Sequence, residues 1–129
     1  MTRSVITTDG APAAIGPYVQ GVRVGNLIFT AGQGALDPIS GQVVPGGIRE
    51  QTARTLENLK AILEAGGSSL GQVVKATVFL KDLNDFAVMN AVYSSYFGSD
   101  EDSLPARTTV EVSRLPRNLL VEIDLVAEV

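Results

Sequence analysis

Residues 48–80 read IREQTARTLENLKAILEAGGSSLGQVVKATVFL, and a change of period inside this stretch decides the fold class. Ile48, Thr52, Leu56, Leu59, Ile62 and Leu63 recur every three or four residues, which puts them on one face of a helix. Glu50 with Arg54 and Glu57 with Lys60 have the spacing of exposed ion pairs. Gly66-Gly67 then offers a left-handed helix stop, and the period drops to two: Val74, Ala76, Val78 and Leu80 share one face of a buried strand at 73–81.

Upstream, Gly25-Asn26 tolerates positive φ and splits residues 18–25 from 27–31 as the two arms of a β-hairpin. Asp37-Pro38, Ser40-Gly41 and Pro45-Gly46-Gly47 make 34–47 an irregular surface loop. Downstream, Asp82 precedes a second amphipathic helix carrying Leu83, Phe86, Met89, Val92 or Tyr93, and Tyr96 or Phe97, which ends at Gly98. After the acidic loop Asp100-Glu101-Asp102 come strands at 107–113 and 119–127. In the last strand Leu119, Val121, Ile123, Leu125 and Ala127 alternate onto one face. The order β-β-α-β-α-β-β predicts an α+β fold with helices on one side of a mixed sheet. With no repeat, charge block or linker, residues 1–129 are expected to form a single domain.

The composition narrows the chemistry. Ten Lys+Arg against fourteen Asp+Glu give a net charge of −4, and the sequence pI is about 4.7. His, Cys and Trp are all absent, which removes the usual general base, the thiolate nucleophile, the disulfide and the His or Cys zinc site. No metal site is expected. A chain of this mass buries about two-thirds of its unfolded surface, enough for a core without staples. No apolar run approaches the ~18 residues of a membrane span, and residues 1–10 lack the apolar core of a leader, so a soluble, cytoplasmic protein is expected. Scattered basic residues on an acidic chain give no footprint for nucleic acid.

A few residues stand out against this background. Gly32-Gln33-Gly34 superficially resembles a phosphate-binding turn, but Asp37 occupies the third glycine position and Pro38 follows, so the pair is read as permitting an unusual backbone turn, with close approach of Gly32 to a ligand left open. Arg107 opens a strand whose same-face neighbours are Thr109, Glu111 and Ser113; its guanidinium fits a planar carboxylate, or forms an ion pair with Glu111. Glu122 interrupts an apolar strand, where burial raises a carboxyl pKa and a nearby Arg107 lowers it; without histidine it is among the few acid–base candidates, or else belongs to a solvated strand face shared with Asp124. Tyr18 follows the turn Ile15-Gly16-Pro17, and Asn90 is a poor helix former among apolar neighbours. Glu111 and Glu122 as a glycosidase pair are disfavoured, since aromatics make up only 5% and leave no sugar cleft.

Taken together, Gly16-Pro17-Tyr18, Gly32-Gln33, Leu36-Asp37-Pro38, Gln51-Thr52 and Asn58-Leu59 line up with a known pattern. Pro105-Ala106-Arg107-Thr108-Thr109-Val110-Glu111-Val112, Leu115-Pro116 and Leu120-Val121-Glu122-Ile123 are its most specific parts. Over residues 5–127 the chain resembles the RidA (YjgF) family. The resemblance implies a chorismate-mutase-like α+β subunit, two helices on one face of the sheet, and a homotrimer with a barrel-like core and active clefts between subunits. It implies hydrolysis of reactive 2-imino acids (2-iminobutanoate, 2-iminopropanoate) released by pyridoxal-phosphate enzymes, giving 2-keto acids and ammonia without a cofactor.

On the same footing, Arg107 and Glu122 are the catalytic pair, and Tyr18, Gly32, Asn90, Arg107 and Thr109 contact the substrate. A different class of reading is a non-catalytic sensor or chaperone-like trimer that binds small carboxylates in the same clefts. An endoribonuclease fits poorly with net charge −4 and no histidine. Two positions depart from the pattern: Ala31 replaces a common serine, removing a hydroxyl beside the site, and Asn118 replaces a common glycine, which Asn tolerates because it accepts left-handed φ.

Overall fold

The computed structural model describes residues 2–129. Strands β1 (Arg3–Ile6), β2 (Gly21–Val24), β3 (Leu27–Thr30), β4 (Val73–Leu80), β5 (Ala106–Glu111) and β6 (Val121–Glu128) form one sheet in the order β1-β2-β3-β6-β4-β5. Only β4 and β5 pair in parallel; the other neighbours are antiparallel. Helices α1 (Ile48–Ala65) and α2 (Phe86–Phe97) pack on each other and on one face of this sheet, as the α+β reading requires.

The predicted face of α1 is buried: Thr52, Leu56, Leu59, Ile62 and Leu63 are fully inaccessible. Each large apolar side chain of that set contributes roughly 1.5–3 kcal/mol, so tertiary burial holds the helix. Glu50 and Arg54 are employed differently from the expected pair. Glu50 Oε1 accepts from the Gly47 N–H at 2.8 Å, capping the first turn, and Arg54 Nε donates to Asn58 Oδ1 at 3.0 Å. The left-handed residue at the helix end is Gly67 (φ +89°). Gly66 is helical in φ and ψ, and a Cβ there would strike the Ile6 and Ile28 methyls.

Several boundaries differ from the sequence reading: the first hairpin arm is Gly21–Val24 and not 18–25, and β5 ends at Glu111 and not at 113. Strand β1 was not foreseen, because only Ile6 of its four residues is buried and pairing with β2 defines it. In β4 a register irregularity between Val73 and Lys75 turns Val73 inward and leaves Val74 exposed, so the buried face is Val73, Ala76, Val78 and Leu80. The last strand begins at Val121 and not at 119, since Pro116–Asn118 form a 3-10 turn that delivers Leu119 to the core.

The segment 34–47 is irregular, as expected, yet firmly held. The Asp37 carboxylate accepts from the Ile39 and Ser40 N–H groups at 2.8 and 2.9 Å, which keeps it below the usual Asp range. Ala35 packs with Leu115 and Leu119 in a small second core. The sheet face away from the helices is open. Val5, Phe29 and Val110 stand there 55%, 46% and 39% exposed, beside Glu122 and Asp124.

Candidate active site

Alternation along β6 sends Val121, Ile123 and Leu125 under the helices and Glu122 and Asp124 to the open face. Beyond β3 the chain continues beside β6, with the Gln33 N–H donating to Ile123 O at 2.9 Å and the Ile123 N–H donating to Gln33 O at 3.0 Å. This lays Gly32 directly under Glu122, where any Cβ would overlap the carboxylate. The sequence reading of Gly32 and Gly34 as an unusual backbone turn is therefore corrected. Neither has a left-handed φ; both are glycines because Glu122 and Leu119, respectively, occupy the space of a Cβ.

Burial pushes the Glu122 carboxyl up, and the negative charge of Asp124 adds to the shift. Asp124 is itself raised by burial, opposed by Thr77 and Lys75. Arg107, weighed in the sequence as a counterweight, contributes nothing to Glu122 here. A cavity of about 320 Å³ opens beside Glu122, lined also by Gly32, Tyr18, Ile15, Leu119 and Arg117.

Tyr18 reaches this cavity from the N-terminal loop and is 53% exposed, with its hydroxyl accepting from the Ile15 N–H at 3.3 Å. One buried side chain shapes that loop: Gln20 Nε2 donates to the carbonyls of Thr8, Ala11 and Pro12, and its Oε1 accepts from the Thr8 N–H. On the opposite rim both Arg117 (φ 59°) and Asn118 (φ 55°) are left-handed. Asn118 was expected there; Arg117 is a bulky residue in a costly conformation, and its Nη1 latches onto Gly41 O at 2.7 Å.

The other half of the predicted site lies elsewhere. In the parallel pair Arg107 stands opposite Ala76 and Thr109 opposite Val78, both buried under the helices. The Arg107 guanidinium carbon sits 4.6 Å from the Tyr93 ring centroid and 5.5 Å from that of Phe86. The ion pair with Glu111 is not its anchor: the Glu111 carboxylate accepts from the Leu83 N–H at 2.9 Å. A cavity of about 510 Å³ is lined by Arg107, Asn90, Tyr93, Ser94, Leu104 and Pro105, among others. Three buried polar atoms in this region, Asn90 Oδ1, Tyr93 OH and Thr109 Oγ1, meet no hydrogen-bond partner within normal geometry among the described residues.

The sequence-predicted residues thus divide into two groups. Tyr18, Gly32 and Glu122 meet on one side of the sheet, and Asn90, Arg107 and Thr109 on the other. Phe86 and Tyr93 escaped the sequence reading because their spacing fits a core stripe equally well. The arrangement offers a planar guanidinium fork for a carboxylate and a half-buried carboxyl that burial makes hold its proton more tightly than an ordinary glutamate. Among the described residues no group of three or more His, Cys, Asp or Glu is placed to hold a metal, and no helix is long and apolar enough to cross a membrane.

Residues 8–129 match the family model described as Endoribonuclease L-PSP. A RutC family protein of Pyrococcus abyssi is 58% identical over 127 residues, 98% of each chain. The Escherichia coli protein named 2-iminobutanoate/2-iminopropanoate deaminase is 51% identical over 122 residues, covering 95% of this chain and 94% of its own. The crystal structure of E. coli TdcF with bound serine is similar with a TM-score of 0.92 at 44% identity, covering 98% of both chains. On a match that runs through both halves of the site, the chain belongs to the endoribonuclease L-PSP family, the YjgF/RidA proteins.

Proposed function

We propose that the protein hydrolyses small 2-imino acids to 2-keto acids and ammonia at sites completed between copies of the chain. The observation that carries this reading is the separation of its two charged groups, with Arg107 and Glu122 on opposite sheet faces and each in its own cavity. They become one site when the Glu122 half of one copy faces the Arg107 half of the next. A homotrimer of chorismate-mutase-like subunits does this, each a single domain of residues 1–129, with the open faces turned toward a barrel-like core. Exposed Val5, Phe29 and Val110 are side chains that such a core would cover. The relatives lend support: one is named a 2-imino acid deaminase, and another binds serine, which carries a carboxylate next to a nitrogen-bearing carbon.

In this mechanism Arg107 grips the substrate carboxylate through two parallel hydrogen bonds, while Asn90, Thr109, Tyr18 and the Gly32 backbone complete the contacts. Glu122 takes a proton from water as its oxygen bonds to C2, and the C=N electron pair moves to nitrogen. Glu122 returns that proton to the nitrogen. It next accepts the hydroxyl proton as C2=O forms and the C–N bond breaks, and departing ammonia carries that proton off as ammonium. Atoms and charge balance for iminium plus water giving 2-keto acid plus ammonium. A raised carboxyl pKa suits both directions of transfer. The imine carbon is already electrophilic, so positioning and proton transfer suffice and no cofactor is required. Net charge −4 and the lack of histidine favour this small substrate, met in the cytoplasm, over RNA.

A non-catalytic carboxylate sensor would need Arg107 but not Glu122. The two readings separate when a threonine dehydratase is coupled to the protein and 2-ketobutyrate release is followed with semicarbazide as a competing trap. Wild type is expected to accelerate release, and Arg107→Ala and Glu122→Gln are not. No acceleration by a wild type that still binds 2-ketobutyrate would overturn the hydrolase reading.

A further inference from the structure

Phe86, Asn90, Tyr93 and Phe97 follow one another at intervals of four, three and four residues, so they form a single stripe along α2. This stripe faces the start of β5, and two of its rings, Tyr93 and Phe86, lie against the Arg107 guanidinium. Tyr93 lies 4.6 Å from one side, Phe97 backs Tyr93 with ring centroids 4.4 Å apart, and Phe86 lies 5.5 Å from the guanidinium carbon. Tyr93 is only 5% exposed and belongs to the main core, so its ring is fixed by packing on the side away from Arg107. An arginine carries several freely rotating bonds, and a ring stacked on its planar head removes much of that freedom before any ligand arrives.

We propose that Tyr93 is a positioning residue: its buried ring fixes the plane of the Arg107 guanidinium so that a ligand carboxylate meets the nitrogen fork edge-on. This rests on the carboxylate grip of Arg107 set out above and adds the residue that orients it. The ring carries the effect. The contribution of the Tyr93 hydroxyl is read separately by Tyr93→Phe.

The test compares wild type, Tyr93→Phe, Tyr93→Leu and Val92→Ala, the last a loss of buried side chain on a different face of the same helix. Calorimetry with 2-ketobutyrate reads the grip without requiring turnover, and thermal unfolding is recorded for each variant. Tyr93→Phe should bind within about threefold of wild type, whereas Tyr93→Leu should bind about tenfold more weakly, the scale of one desolvated cation–π contact. Val92→Ala should lose melting temperature with unchanged affinity. In the coupled assay Tyr93→Leu should raise KM more than it lowers kcat. Binding by Tyr93→Leu at the wild-type level overturns the inference, as does an equal loss in Tyr93→Phe, which would assign the effect to the hydroxyl. Wild-type binding without imine hydrolysis removes the deaminase reading and leaves Tyr93 standing; no binding by folded wild type removes both.

Discussion

Glu122, the proton-transfer group of the proposed mechanism, is a carboxyl held at the expense of stability. Its pKa is raised mainly by burial and secondarily by Asp124, so the folded state holds its proton to higher pH than the unfolded chain does. By linkage, the folded state then binds more protons between the ordinary glutamate value and the raised one. Stability therefore falls as pH rises through that window, and the cost is fully present above it. Glu122→Gln should melt at or above the wild-type temperature at neutral pH while losing imine hydrolysis; a clear drop in melting temperature would show the carboxylate to be a structural partner. For the wild-type enzyme, kcat should fall on the acid side as Glu122 protonates, and the acid limb of the pH profile should vanish in any residual activity of Glu122→Gln. Gly32 tests the same geometry from below. Because a Cβ at this position would overlap the carboxylate, and because Gly32 has no left-handed φ, Gly32→Ala should fold, displace Glu122, and reduce kcat by at least about tenfold. Full activity in that variant would mean that Glu122 does not act from this position.

Between elements, buried polar side chains of α1 tie the irregular part of the site to the core. Asn58, fully buried, donates to Gly34 O at 3.1 Å and Leu36 O at 3.0 Å, while its Oδ1 accepts from Arg54. Gln51 Oε1 accepts from the Leu120 N–H at 2.9 Å. These two residues therefore hold the chain on both sides of Glu122. Asn58→Ala leaves two carbonyls without a donor and should cost about 2–4 kcal/mol, measured by urea unfolding; a loss under about 0.5 kcal/mol would mean that water replaces the amide without penalty. The regular elements were legible because the periods of α1 and β6 are clean and each buries a single face. Strand β1 was not, since four residues with one buried side chain carry no period, and the irregularity in β4 was not, since Val73 and Val74 are the same residue type. Arg107 and Glu122 were visible as charged residues on β strands, and their separation onto opposite faces followed only from the pairing of β5 with β4 and β4 with β6. Tyr93 and Asn58 were hidden for a shared reason: an aromatic or an amide on the inner face of a helix has the same spacing whether it fills the core or orients a site.

For the whole molecule, the division of the site makes a prediction that no single chain can satisfy. If Arg107 of one copy works with Glu122 of its neighbour, then Arg107→Ala and Glu122→Gln damage different contributions to each cleft. If the chain assembles as the proposed trimer, unfolding the two inactive proteins together and refolding them as a mixture gives assemblies in which some clefts pair an intact Arg107 with an intact Glu122. In a closed ring of three, each cleft draws its two halves from two independently chosen subunits, so about a quarter of all clefts are intact at equal input. Imine hydrolysis should therefore return to about a quarter of the wild-type value, from two proteins that show none when refolded alone. A charged residue in place of Phe29 on the open sheet face supplies the complement: Phe29→Glu should reduce the assembly to smaller species by sedimentation and abolish hydrolysis while leaving the helical signal intact. Recovery in the mixture would also exclude an arrangement in which one chain folds both groups into its own cleft, because such clefts would each carry one lesion and none would be restored. Failure to recover, with mixed trimers demonstrated by mass, would overturn the shared site.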